Sequence, residues 1–525
     1  MNWRHYLVLL FVGWVVPFAV SRFQSLPGYM DADYYFAGGL QLASGRGFTE
    51  PYIWNYLSEP QGLPHPSHTY WMPLASIVSA FGMWITGQTT YEAGRLAFIF
   101  LSACVPLLTA ALAYDLTRRT HLAVASGLLS IFSLYYAPFM PVPDNYALFM
   151  LLGGSFHLIA PRKRGWVPLA LGALAGCLTL ARSDGLLWLG LAGLTVMWKS
   201  AEKGEGAKKS LREWFVLIVP AGMFVILGYL LVMGPWHLRN LNLFGSLITP
   251  GGGRLLWLQN YNATFVYPPD ALTREGFIQA GLSAALQDRF GAFTSNMSNA
   301  FAAQGEIFLL PFILIGLWQL RRDLGTRVSV TGWIALFVVM TLIFPFAGSR
   351  GSFFHAGAGF QPFWWAAAPL GLDSVLGWAR NRGKFTDQNA PWVFQGILVL
   401  LAILMTGYLV NFRVIATRWA RDDFIYPYVE MLLLDRGIAP DDVVIVRNPP
   451  GYFISSGRSA ISLPFGDESS ILAVAERYGA AFLVIERGGT FEGIQDLYDS
   501  PQGHSAFIYL GEVDGARLYQ IKPAR

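Results

Sequence analysis

From residue 6 to residue 411 the chain returns repeatedly to apolar runs, most of them close to the ~20 residues that a helix needs to cross a bilayer. Runs of that length fold as transmembrane helices, because lipid offers no partners for exposed backbone polar groups. Composition agrees. Of 525 residues 54% are hydrophobic and 13% charged, against about 25% charged in soluble domains, and the mean hydropathy is +0.41. The pattern is that of a polytopic membrane protein and excludes an ordinary soluble enzyme. Cys104 and Cys177 both lie inside apolar runs and read as small core residues rather than a disulfide framework.

Lys and Arg cluster at Arg4, Arg118-Arg119, Arg162-Lys163-Arg164, Lys199 to Arg212, Arg321-Arg322 with Arg327, and Arg380 to Lys384. Short cytoplasmic loops are enriched in these residues, so all six clusters are assigned to the cytoplasmic side. That assignment requires the short run 71–87, which opens Trp71-Met72-Pro73, to be a juxtamembrane helix that does not cross. About eleven spans follow: 6–21, 93–116, 121–137, 146–160, 166–181, 185–199, 214–234, 304–320, 328–346, 363–379 and 392–411. The short segments 166–181 and 185–199 also admit a re-entrant hairpin. The first run reads as an uncleaved helix; Ala19-Val20-Ser21 is only a faint cleavage-like end. The external face receives the loop 22–92, Pro141 to Asp144, Arg182 to Asp184, the loop 235–303, the loop 347–361 and the C-terminus.

After residue 411 the composition changes. Residues 441–446 and 480–485 read as buried strands, and 467–478 as a helix with an acidic start. The expected organisation is a transmembrane domain over 1–411 and a small external α/β domain over 412–525, a size typical of a domain. No G-x-G-x-x-G follows a strand, which leaves a dinucleotide site without support. No internal repeat is visible.

Candidate chemistry concentrates in the first external loop. Asp31 and Asp33 follow the first span directly, at headgroup level. Capping explains them structurally, with Asp31 as N-cap of a helix over 32–43 that stops at Gly45-Arg46-Gly47. A carboxylate there also suits a general base acting on a hydroxyl, a contribution of typically 10²–10⁴-fold. His65 and His68 could join Asp33 at a divalent metal, although two histidines without a third local ligand are more often hydrogen-bonded surface residues. Tyr34, Tyr35 and Trp54 fit either an interfacial aromatic belt or stacking on a sugar ring. Arg182, Arg239 and Arg350 are external cations near span ends, with His237 and His355 close to two of them in sequence. A guanidinium fork matches phosphate geometry; snorkelling to headgroups is the plainer reading. Asp144 and Asp184 stand where helices start, as N-caps or as acceptor and sugar contacts. Charged residues fall only near span ends, such as Asp115, Glu306 and Asp373, which counts against an ion-coupled transporter.

Three motifs resemble the GT-C superfamily of integral membrane glycosyltransferases, which includes the protein O-mannosyltransferases and the lipid A aminoarabinose transferase. Met30-Asp31-Ala32-Asp33-Tyr34-Tyr35, with Ser44-Gly45-Arg46-Gly47-Phe48 closing its helix, is similar to the acidic first-loop motif. Pro235 to Ser246 is similar to the Pro-Trp-x-x-Arg-Asn-x-x-x-Phe-Gly segment, and Ala181 to Leu187 to the Arg-x-Asp-Gly turn. Many members have Asp-Glu where this chain has Asp31-Ala32, with Asp33 one step later. Tyr70-Trp71-Met72-Pro73-Leu74 stands for the Lys-Pro-Pro-Leu type segment, and Ser349 to His355 loosely for the late basic element.

The resemblance implies a sugar donor carried on polyprenyl phosphate and an acceptor hydroxyl on a lipid, glycan or protein. It further implies attack at the external face with inversion at the anomeric carbon. Asp31 would be the base, with Asp33 assisting or binding a metal, and Arg350, Arg239, His355 and Arg182 would hold the donor phosphate. The location implied is a bacterial inner or plasma membrane, with no nucleic-acid partner. A flippase or transporter of lipid-linked sugars, or a non-catalytic glycan-binding membrane protein, are the alternative readings.

Overall fold

The computed structural model describes residues 1–202, 211–383 and 389–522; Lys203, Lys208, Lys209 and Lys384, members of two of the basic clusters, lie outside them. Two compact units form. Met1–Phe23, Arg95–Arg239 and Phe290–Thr417 make the first; Gln24–Gly94, Asn240–Arg289 and Arg418–Arg525 make the second.

The first unit is helical. Its helices include Trp3–Ser21, Thr120–Ile131, Tyr146–Ile159, Val167–Ala181, Leu186–Glu202, Leu310–Gln319, Leu324–Val338, Gln361–Asn381 and Ala390–Val410, with most of Tyr91–Thr117 and Leu211–Phe244. Among the described residues five helical stretches are long and apolar enough to cross a membrane: Trp3–Ser21, Tyr91–Thr117, Ile218–Phe244, Leu324–Ile343 and Ala390–Ala416. Helix is found in every stretch read as a span, with instructive differences at the ends. The 121–137 run stays helical only to Ile131, and the chain turns at left-handed Leu134 before the prolines at 138, 141 and 143, which cannot continue a helix. The amide of Leu134 is satisfied instead by Thr406 Oγ1 at 3.1 Å. Before Leu310 the chain turns through left-handed residues Glu306 and Ile307. The helix that begins at Leu211 passes through Pro235 and ends at Phe244, beyond the expected boundary at 234. Trp236 and Asn240, one helical turn apart, are both buried there.

Small residues let backbones meet. A methyl on Gly172 would overlap the Val225 carbonyl, and one on Gly371 the Phe312 carbonyl. Gly172 and Gly176 are spaced i,i+4, the small-residue arrangement of close membrane helix pairs.

In the second unit the helices Met30–Ala43 and Leu74–Thr86 pack closely, with Gly38 and Gly39 against Ser76 and Ser79. Leu74–Thr86 occupies the stretch read as a juxtamembrane helix. Eight strands follow in chain order: β1 (Thr49–Glu50), β2 (Tyr52–Ile53), β3 (His65–Pro66), β4 (Val443–Val446), β5 (Ala460–Ser462), β6 (Ala480–Ile485), β7 (Phe507–Val513) and β8 (Ala516–Ile521). β1 pairs antiparallel with β3; the other six form one sheet in the order β2-β5-β4-β6-β8-β7. β2, from the first loop, runs parallel to β5 with Tyr52 opposite Ala460. Tyr56 adds a hydrogen bond from its hydroxyl to the Ser462 carbonyl. One sheet face packs Ile445, Ile461, Leu483 and Tyr519 against Ile53 and Tyr56. The other packs Val444, Val446, Phe482 and Leu518 against Val429 and Leu433 of the Tyr426–Asp435 helix. The Glu468–Tyr478 helix starts at the cap Asp467, which accepts from Ser470 N at 3.2 Å, and stops at left-handed Gly479.

Candidate functional site

The acidic motif forms the first turn of the Met30–Ala43 helix. Tyr29 is the extended N-cap residue and gives no side-chain cap, so Asp31 stands inside the first turn rather than at the cap position. Carboxylates in a first turn are stabilised by the positive end of the helix macrodipole. Asp31 is half-buried, whereas Asp33 is only 1% exposed. Asn448 Nδ2 donates to Asp33 Oδ2 at 2.8 Å and to Asp423 Oδ1 at 3.0 Å. Asn448 thus brings the two carboxyls close enough for each to influence the other's ionisation. Burial, and next the Asp423 charge, push the Asp33 carboxyl well above the carboxylate range. Burial raises Asp423 to about 6. Two buried carboxyls that share a donor cannot both ionise cheaply, which favours retention of a proton by the pair.

The aromatic and histidine residues of the loop build a core around Glu50, itself 3% exposed. The Tyr34 hydroxyl donates to Glu50, and the His68 amide donates to Glu50 Oε1 at 2.8 Å and lies 2.9 Å from the Tyr34 hydroxyl. Burial and the Glu50 charge keep the Tyr34 phenol protonated, well above its ordinary value. Trp54 stacks on Trp71 with centroids 4.1 Å apart, and Tyr34 meets Tyr35, Tyr52 and Trp71 edge-on. Tyr34, Tyr35 and Trp54 are all buried, with their rings turned toward one another.

His65 Nε2 lies 3.0 Å from the Tyr52 carbonyl and 3.6 Å from Glu50 Oε2. The His68 ring is bracketed by Ser67 Oγ at 2.7 Å and Ser76 Oγ at 3.0 Å. Asp33, His65 and His68 as arranged do not fit a cation: their ligand atoms have these hydrogen-bond neighbours, and among the described residues no group of three potential ligands contains them.

In the first unit, Arg182 and Asp184 flank the start of a short 3₁₀ turn at Ser183–Gly185. Arg182 Nη2 and Nε donate to Asp184 Oδ2 at 2.9 and 3.1 Å, with both side chains largely buried. Asp144 is 1% exposed; its Oδ1 accepts from Asn145 N at 2.6 Å and lies 3.7 Å from His355 Nδ1. His355 Nε2 lies 2.8 Å from the Tyr146 hydroxyl, and the two rings stack 4.3 Å apart. Burial, reinforced by the Arg182 charge, lowers the His355 pKa well below its usual value and keeps the ring neutral. A neutral ring with its proton on Nδ1 faces Asp144 and accepts from Tyr146. Arg350 is exposed at a kink where its φ/ψ is −103°, 18° and Gly351 is left-handed at φ 101°. Arg239 is half-buried, with its guanidinium 4.4 Å from the Trp236 ring centroid.

Asp144 and His355 are thus brought together, as are Arg182 and Asp184. Sequence reading missed Asn448, Asp423, Glu50 and Tyr146. The one available signal was Asn448-Pro449-Pro450-Gly451, legible as a turn: two prolines without N–H groups leave an Asn cap as the natural donor there.

No protein-family model matches the sequence, and comparison with curated proteins finds no match. Solved structures do match. The Archaeoglobus fulgidus oligosaccharyltransferase in complex with Zn and sulfate is 14% identical at a TM-score of 0.58, over 98% of this chain and 73% of that one. ArnT from Cupriavidus metallidurans in the apo state is 13% identical at 0.56, over 98% of this chain and 97% of that one. The same ArnT bound to undecaprenyl phosphate gives 12% and 0.54 with the same coverage. Likeness at this level of identity shows that this chain shares the fold of those two proteins.

Proposed function

We propose that this chain transfers a sugar from a polyprenyl-phosphate carrier to an acceptor hydroxyl at the external face of a membrane. The observation that carries the reading is the likeness, nearly full-length in both directions, to a protein solved with undecaprenyl phosphate. In this reading the chain crosses the membrane about eleven times, residues 1–411 hold the catalytic domain, and the loop 22–92 and residues 412–525 are external.

The acceptor oxygen attacks the anomeric carbon as the carbon–oxygen bond to phosphate breaks. The acceptor proton passes to Asp31, and polyprenyl phosphate leaves with the bonding electrons. One such displacement inverts the anomeric centre. Phosphate is a weak base, so this departure calls for charge stabilisation rather than a general acid. Arg350 and Arg239 carry guanidiniums suited to phosphate oxygens, and Arg182 is assigned with them. His355 in its neutral form is a hydrogen-bond donor rather than a charge. Asp144 and Asp184 then orient His355 and Arg182, an assignment supported by the contacts described above.

Asp31 is preferred over Asp33 as base because it is half-buried, whereas Asp33 is 1% exposed and is bound by Asn448. The test is purified protein with a panel of polyprenyl-phosphate sugars, scored for acceptor-dependent release of polyprenyl phosphate. Asp31→Asn is expected to lower turnover by about 10²-fold or more while leaving the unfolding midpoint unchanged. Near-normal turnover in that variant overturns the assignment.

A further inference from the structure

Asp33, Asn448 and Asp423 come from three different elements of the second unit, in two of its chain stretches. Asp33 is in the first turn of the Met30–Ala43 helix, Asp423 opens a short turn at Asp423–Ile425, and Asn448 caps the Pro449–Ser456 helix. Pro449 and Pro450 contribute no N–H, so the cap side chain divides its duties. Its Oδ1 accepts from Gly451 N at 3.3 Å, while its Nδ2 serves both carboxyls. Gly451 is required by this packing: a Cβ there would lie 3.3 Å from Asp33 Oδ2 and press on the Asn448 side chain.

We propose that these three residues form a clamp, in which the Asn448 amide bridges the two carboxyls, and that the clamp fixes the helical turn bearing Asp31. Asn448 and Asp423 are then positioning residues for the base. The catalytic consequence rests on the function proposed above; the clamp itself does not. The groups around the pair are largely acidic, which favours a proton on it. Glu486 and Asp422 are further carboxyl groups that raise Asp423, and the Tyr52 and Tyr426 phenols lie within electrostatic reach of the pair. Arg447 acts on Glu486, whose carboxylate accepts from Tyr426 and from the Arg447 amide. Loss of the last proton would leave Asp33 and Asp423 facing each other as anions, with one amide NH₂ between them. The first turn would then loosen. A loosened turn misplaces the base, and displacements of about 1 Å can cost about 10²-fold in rate.

The experiment uses the full chain in lipid nanodiscs with Asp423→Asn and Asn448→Ala, and Asp31→Asn as reference. Hydrogen exchange of amides 30–37 and the pH profile of kcat are both measured. Asn448→Ala is expected to speed exchange in 30–37 by about tenfold, as for loss of one buried link, and to lower kcat with KM little changed. Asp423→Asn keeps the shape, cannot ionise and donates to Asp33. It should retain kcat within about threefold at pH 7, and should lose the alkaline fall that the wild type shows as the pair gives up its proton. A wild-type alkaline limb in Asp423→Asn, or wild-type exchange in Asn448→Ala, overturns the proposal. If the wild type releases carrier phosphate from no donor, the transferase reading fails, and the exchange arm decides the clamp alone.

Discussion

Asp31 and Asp33 are two residues apart, so on a helix their side chains point ~200° apart and cannot serve the same face. The sequence offers both as candidates; the fold separates them. Asp33 turns to a partner 415 residues away and is buried there, and this pairing has a thermodynamic sign. Burial raises both carboxyls in the folded state, Asp423 to about 6 and Asp33 well above its usual range. Protons are therefore bound more tightly by the folded chain than by the unfolded one. The stability this supplies is complete below the unfolded value of about 4 and is lost as pH rises through about 6 and beyond. The unfolding midpoint of the wild type should fall across that range, by about 2–4 °C for each kcal/mol in a unit of this size. Asp423→Asn should flatten the fall. An equal slope in wild type and variant would remove this account of the pair.

At the scale of elements, glycine contacts set how near helices approach. Gly371 on Gln361–Asn381 meets the Phe312 backbone of Leu310–Gln319, and Gly316 meets Ala367 in return. Backbone cannot yield as a side-chain end does, so Gly371→Val forces the two helices apart. The expected cost is about 1–3 kcal/mol, read as a lowered thermal midpoint in detergent; Gly377→Ala, on the same helix with open space at its Cβ, is the control. Equal midpoints for the two variants would show that the contact is not structural. The same scale explains why the first loop was only half legible. Its helix and its stop at Gly45 follow from local chemistry, since Gly45 and Gly47 are left-handed. The two-residue strand Tyr52–Ile53 has no local signal and exists because β5 presents an edge to it.

For the whole molecule, a carrier-phosphate site predicts a linkage effect. Undecaprenyl phosphate at 100 times its dissociation constant should stabilise the chain by about 2.7 kcal/mol, and undecaprenol without phosphate should do less. Arg350→Ala should reduce the difference between the two lipids; no difference in the wild type would argue against phosphate recognition. The apolar helical stretches and two of the five strands of the C-terminal segment, β4 and β6, were readable from the sequence. Apolar run length and burial-driven patterning act locally, and neighbouring residues carry them. The partition into units was not readable in this way: three separated stretches join in the second unit, and composition marks only the change near residue 411. The roles of neighbouring carboxylates were equally out of reach. Asn448, the hydrogen-bond partner of both Asp33 and Asp423, lies 415 residues from Asp33, and only folding decides which buried polar groups must satisfy one another.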